Sequence, residues 1–233
     1  MKGKFIVLEG IDGCGKETQT ELLIKYFEQK GISLEKASFP NYGSPGAYFV
    51  EQYLKGKYGS ADEIPPQLAA WFFTLDRFDV KDKILVPLEA GKVVVSNRYV
   101  SSNAGHQGGK IKDVKKRQEF LDLLYYTEYE LCKNPKPNLQ IYLHIPAEIA
   151  QELVDKKSAR EYIGGKKRDI HEEDKEHLKH AEESYNYISE NEPGWEKVEC
   201  MQGNKLLKKE EIHNKIISLK GIEEIVKEFS NFS

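Results

Sequence analysis

Two hydrophobic periods alternate along this chain. Five short apolar runs have strand composition: residues 5–8, 34–39, 93–97, 139–145 and 196–201. Between them the apolar spacing turns helical. Leu22, Leu23, Tyr26 and Phe27 share one face after Lys16, and the pattern returns over 66–86, 114–130, 172–190 and 210–219. Strands alternating with helices predict an α/β fold, a doubly wound five-stranded parallel sheet with ligands at the carboxyl ends of its strands. There is no internal repeat and no low-complexity tract. The stretch Asn134-Pro135-Lys136-Pro137 reads as a loop entering a strand rather than a linker, so the expectation is one domain over residues 1–233.

The first strand-to-helix transition carries the most chemistry. Residues 4–19 read KFIVLEGIDGCGKETQ: an apolar run, then Gly10, Gly13 and Gly15, then Lys16 opening a helix. Glycines let successive backbone N–H groups turn toward an anion, the helix N-terminus adds partial positive charge, and the Lys reaches the outer phosphates. A plain glycine turn would not explain a cation in the first helical turn, where it opposes the helix dipole. One position departs from the pattern: Glu17 stands where Ser or Thr is usual, with Thr18 one step later.

Bulk properties narrow the classes. A 39% hydrophobic content can bury a sheet, and a net charge of −3 provides no basic field to recruit nucleic acid. The three cysteines, Cys14, Cys132 and Cys200, form no CxxC pair, which favours a reducing compartment over a structural zinc site. Cys14, inside the glycine loop, reads as a small filler before it reads as a redox group. The first strand begins too early for a signal peptide and no apolar run approaches a membrane span, so the expectation is a cytoplasmic protein.

Other candidate sites are Phe39-Pro40-Asn41-Tyr42 after the second strand, Asn97-Arg98-Tyr99 after the third, and Asp76-Arg77 in a helix with Trp71, Phe72, Phe73 and Phe78. Arg98 at a strand end suits a phosphate, because its guanidinium is planar and always charged. Asp76-Arg77 has a blander reading as a surface ion pair of little value. His106 alone reads as a hydrogen-bonding residue rather than a catalyst. Residues 158–173, SAREYIGGKKRDIHEE, combine a glycine pair with many charges and few apolar anchors. A mobile flap and a solvated connection between helices both fit.

Taken together, FIVLEGIDGCGKETQ, FPNYG, FFTLDRF, NRYVSSNAGHQG and the basic segment before DIHE resemble the thymidylate kinase family, in its order and approximate spacing. The resemblance implies a P-loop kinase fold with a mobile lid at about 157–173, and transfer of the ATP γ-phosphate to dTMP. It implies ATP contacts from Gly10, Gly13, Cys14, Gly15, Lys16, Glu17 and Thr18. It implies an acceptor site walled by Phe39, Pro40 and Tyr42, with Phe73 on the thymine ring and Arg77, Asn103 and Gln107 at the base edge. Arg98 would hold the acceptor phosphate, and Asp12 would lie near it or near the sugar 3′-hydroxyl. His106 falls where many members carry a Tyr close to the sugar 2′ position. Lys16, Arg98, Arg160 and Arg168 would carry catalysis, the last two because the loop Ile11-Asp12-Gly13-Cys14 contains no Arg.

The family commonly has Asp-Arg-Tyr where this chain has Asn97-Arg98-Tyr99, so two positions facing the Mg²⁺ region depart, Glu17 and Asn97. Either Glu17 has taken over the negative wall of that region or it points to solvent and complements the helix dipole. A homodimer through the aromatic helix is expected. Two other functions remain: a kinase for another pyrimidine nucleotide or a nucleoside, and a catalytically silent nucleotide-binding regulator.

Overall fold

The computed structural model describes residues 2–155 and 175–230. Its centre is a parallel five-stranded sheet in the order β2-β3-β1-β4-β5, formed by β1 (Lys4–Glu9), β2 (Leu34–Ser38), β3 (Val93–Asn97), β4 (Leu139–His144) and β5 (Trp195–Glu199). The sheet buries the three middle strands most deeply. Phe5, Ile6, Val7 and Leu8 are fully buried, as are Val93, Val94 and Val95, because helices cover both faces. Register places Leu8 beside Asn97 and Glu9 beside Tyr142, so the carboxyl ends of β1, β3 and β4 finish side by side.

Helix α1 (Lys16–Gln29) packs on β1, β2 and β3 and against α9 (Lys209–Ile217). On another layer, α5 (Val100–Gly109) and α8 (Lys175–Asn191) press together, with α8 also on β4 and β5. Short α2 (Tyr48–Leu54) and α3 (Pro66–Asp79) enclose a second small apolar cluster containing Val50, Tyr53 and Ala69. Further helices are α4 (Asp82–Glu89), α6 (Val114–Tyr125), α7 (Ala147–Asp155) and α10 (Lys220–Ser230).

Three expectations change. The periodicity over 66–86 is two helices, α3 and α4. Val80 leaves helical geometry at φ −115°, ψ 14°, and the restart at Asp82 lets α4 bury Ile84 separately from α3's Ala69 and Ala70. The strand at 196–201 ends at Glu199. Met201–Gln202 instead pairs antiparallel with Lys205–Leu206 around Gly203, whose φ of 56° suits a tight turn. The run at 114–130 is α6 followed by a π-helical turn, Tyr126–Leu131. One helix has no apolar repeat to announce it. The sequence of α5, VSSNAGHQGG, is nearly all buried, because small residues admit α8 at close range. A Cβ on Gly105 would lie 2.4 Å from the Tyr185 ring, and one on Gly109 would lie 2.6 Å from the His180 carbonyl oxygen.

A charged knot fixes where α7 and α8 meet the sheet. His144 ends β4, with Nδ1 2.6 Å from Glu199 Oε2 and Nε2 3.0 Å from Glu182 Oε1 on α8. The second oxygen of Glu182 accepts the N–H of Ala147 at the start of α7. The hydrogen bond to Glu182 leads in raising the His144 pKa above its ordinary 6.5; partial burial and Lys197 oppose, and Glu199 assists. Stabilisation by this imidazolium is therefore full below pH 6.5 and drains as pH rises through the folded-state pKa. His144→Gln should lower stability by roughly 1 kcal/mol in mildly acid solution, the scale of a partly exposed charged hydrogen bond. Denaturant titrations should show the deficit shrinking at alkaline pH; a deficit that grows with pH would contradict this reading.

Candidate active site

The site begins where β1 ends. Gly10, Gly13 and Gly15 all adopt positive φ, at 141°, 91° and 89°, so the loop curls back on itself before α1 starts at Lys16. At Gly13 close approach matters as well, since a Cβ there would lie 2.4 Å from the Ala150 carbonyl oxygen. Lys16 folds over the loop, its Nζ donating to the Gly10 and Ile11 carbonyls at 2.9 and 2.8 Å. An ammonium group and the α1 N-terminus thus face the same space, an arrangement that binds phosphate.

That space opens into a cavity of about 640 Å³, a size suited to a nucleotide. Its walls include Asp12, Gly13, Gly15, Lys16, Glu17 and Thr18 on the loop side. Phe39, Pro40 and Tyr42 line it after β2, Asn97 and Arg98 after β3, Phe73 and Arg77 from α3, and Asn103, His106 and Gln107 from α5. Gly10 and Cys14 are not among the lining residues. Gly10 approaches the Leu143 carbonyl, and the Cys14 thiol is buried 3.6 Å from Lys16 Nζ. Arg160 and Arg168, with the whole proposed lid at 157–173, lie outside the described residues.

Arg98 is the hub. It holds a left-handed backbone, φ 67°, which is costly for a residue with a Cβ. Its N–H is anchored to the Leu8 carbonyl at 3.0 Å. Its Nη2 pairs with Asp12 Oδ1, and Nη1 lies 3.3 Å from both Ser102 Oγ and His106 Nε2. Burial opposes the Arg98 charge, and Asp12, together with Tyr185, Glu9 and Cys14, more than restores it. Burial also drives the His106 pKa well below 6.5, with Arg98, His177 and Lys16 adding to the effect against Asp12, so the ring is neutral.

The cavity wall formed by α3 rests on a buried ion pair that sequence reasoning missed. Asp76 and Arg77 are both buried, which removes the surface-pair reading, and they serve different partners. Asp76 accepts the Asn41 N–H at 2.9 Å and so ties the loop after β2 to α3. Arg77 pairs with Glu128 on the π-helical turn, and Glu128 also accepts from Thr74 Oγ1 at 2.6 Å and Asn134 Nδ2 at 2.7 Å. Asn103 Nδ2 donates to the Ala70 carbonyl at 3.1 Å. Both amide atoms of Gln107 are buried with no partner among the described residues. Glu9 was missed too. This fully buried side chain at the end of β1 accepts from Tyr99 N–H, Ser102 Oγ and Tyr185 Oη and locks β1 onto α5 and α8. Its only mark in the sequence is a charge at the end of an apolar run.

Comparison with known proteins agrees with this geometry. The family description that matches is thymidylate kinase, over residues 8–216. The chain belongs to the thymidylate kinase family. A probable thymidylate kinase of Thermococcus kodakarensis is 31% identical over 221 residues, covering 92% of this chain and 96% of that one. The thymidylate kinase of Plasmodium falciparum is 30% identical over 159 residues, covering 66% and 67%. The thymidylate kinase structure from Candida albicans superposes with a TM-score of 0.72 at 17% identity, over 97% of this chain and 94% of that one, and shares the fold.

The Mg²⁺ that the sequence resemblance implies can be tested against the oxygen donors present. Asn97 Nδ2 donates to Glu17 Oε2 at 2.6 Å, so the two positions that depart from the thymidylate kinase pattern touch. Asn97 Oδ1 is buried without a partner among the described residues, and Glu17 is held from its other side by Lys36 at 3.2 Å. A carboxylate beside an unpaired amide oxygen fits a hard cation. Among the described residues no group of three or more His, Cys, Asp or Glu could hold a metal ion.

Removing Glu128 leaves the Arg77 charge buried and unpaired. Glu128→Ala should therefore cost about 3–5 kcal/mol of stability. Urea unfolding measures this; a loss below about 1 kcal/mol, the range of exposed pairs, would mean the pair is far more hydrated than the structure shows.

Proposed function

We propose that this protein transfers the γ-phosphate of ATP to dTMP, releasing ADP and dTDP, with residues 1–233 working as one kinase domain and 157–173 as its lid. The observation that carries the reading is a single cavity in which the phosphate loop and an aromatic, amide-lined pocket meet at Arg98.

Phosphoryl transfer asks little covalent chemistry of a protein; it asks for alignment and cations. Gly10, Gly13, Cys14, Gly15 and Thr18 form or support the ATP phosphate loop, with Lys16 on the outer phosphates. Arg98 grips the acceptor phosphate, its fork steadied by Asp12. Phe39, Pro40 and Tyr42 close the wall behind it. Phe73 stacks on thymine, an interaction worth about 1–3 kcal/mol per base. Arg77, held by Glu128, reads the base edge with Asn103 and Gln107, and His106 lies on the sugar side. Arg160 and Arg168 supply the cations that follow the moving charge. Glu17 and Asn97 would hold Mg²⁺, whose charge would offset that of the phosphate oxygens.

A second copy of the chain completes the assembly. Leu68, Trp71, Leu75 and Phe78 recur at helical spacing along α3 and are all exposed, a stripe suited to a two-fold helix pairing. Among the described residues no helix is long and apolar enough to cross a membrane. The cysteine usage supports a cytoplasmic site of action.

A coupled ADP-release assay across nucleoside monophosphates tests the reading. ADP release should depend on the acceptor and be fastest with dTMP. Arg98→Ala should lower turnover by about 10²–10³-fold, the effect of losing one preorganised donor, while ATP binding survives. Preference for another pyrimidine acceptor would reassign the substrate, and ATP binding without any ADP release would return the protein to the catalytically silent regulator class.

A further inference from the structure

Behind the cavity-lining His106 stands a residue that no contact with substrate would reveal, His177. His106, on α5, presents Nε2 to Arg98 Nη1 at 3.3 Å and Nδ1 to His177 Nε2 at 3.2 Å. The two imidazoles lie nearly parallel, 18° apart, and both are buried. His177 belongs to α8, which reaches α5 this closely because Gly105 and Gly109 present no side chain to it.

This geometry fixes where the protons are. A guanidinium has donors only, so His106 Nε2 must accept from Arg98. The proton of the neutral ring is then on Nδ1, and His177 Nε2 must accept it. Asp12 Oδ2, 3.9 Å from His106 Nε2, is too far to hydrogen-bond a proton there. An imidazole left to itself favours the proton on Nε2, which here would aim one donor at another.

We propose that His177 is a positioning residue for the phosphoryl acceptor: it sets the tautomer of His106 and, through that ring, the orientation of the Arg98 guanidinium. The inference rests on the reading that Arg98 grips the acceptor phosphate. Ser102 and Asp12 hold the same fork, so losing the His106 contact loosens the guanidinium without releasing it. ATP meets the opposite wall of the site and is indifferent to the change.

Histidine-labelled ¹⁵N NMR of the unliganded protein at neutral pH reads the tautomer directly, with His106 assigned by comparison with His106→Gln. The wild-type ring should carry its proton on Nδ1. In His177→Phe, which keeps ring volume and removes the acceptor, it should move to Nε2. The KM for dTMP should then rise on the order of tenfold, as expected for one lost hydrogen bond to a charged group, with the KM for ATP unchanged. His177→Gln, which offers an amide oxygen, should restore both tautomer and KM. A wild-type His106 protonated on Nε2 would overturn the inference, as would a His177→Phe variant with unchanged tautomer and dTMP KM. So would equal impairment of both substrates, which marks a merely structural residue. Absence of dTMP-dependent turnover in the wild type would instead count against the kinase reading and leave the tautomer result standing.

Discussion

The ion pair between Arg98 and Asp12 joins the segments that leave two neighbouring strands of the sheet. Asp12 belongs to the phosphate loop after β1, and Arg98 closes β3, the neighbouring strand. The pair ties the glycine loop to the cavity wall that carries Arg98. It also explains the left-handed backbone at Arg98, a strain of order 1–3 kcal/mol tolerated where surrounding contacts over-determine it. The anchors are the Leu8 carbonyl beneath its N–H, and Ser102 and His106 beside its fork. A cation held this way needs little reorganisation when a phosphate arrives, which is what electrostatic catalysis requires.

The same logic runs outward. Buried charges are costly unless each has partners, and here they come in satisfied sets. Glu9 takes three donors and fixes β1 against α5 and α8, while Glu128 takes donors from Arg77, Thr74 and Asn134 and fixes α3 to the π-helical turn. Burial raises the Glu9 pKa against the pull of Arg98 and its hydrogen bonds, a sign of how dry this junction is. The cavity is thus lined by groups whose orientation is set one layer further in.

How much of this was legible in the sequence follows from which signals are local. The apolar run at 93–97 matches β3 to the residue, and the glycine spacing marks the phosphate loop, because both depend on neighbouring residues. Phe73, Arg77, Arg98, Asn103 and Gln107 all line one cavity. Glu128 is 51 positions from its partner Arg77, a pairing that no periodicity encodes. Helix α5 is invisible to apolar spacing because its packing surface is made of glycine, serine and alanine. The break at Val80 is hidden for the opposite reason: an apolar repeat continues through a change of direction that only packing decides.

The central claim is that one continuous cavity holds donor and acceptor nucleotides with their phosphates meeting between Lys16 and Arg98. A ligand joining adenosine and thymidine through five phosphates engages both halves at once. Titration calorimetry should give it a Kd at least about 10²-fold below that of either ATP or dTMP alone, the gain expected when a second binding event becomes intramolecular. Affinity no better than that of the tighter single nucleotide would mean that the two halves are not joined at Arg98, and would contradict the account.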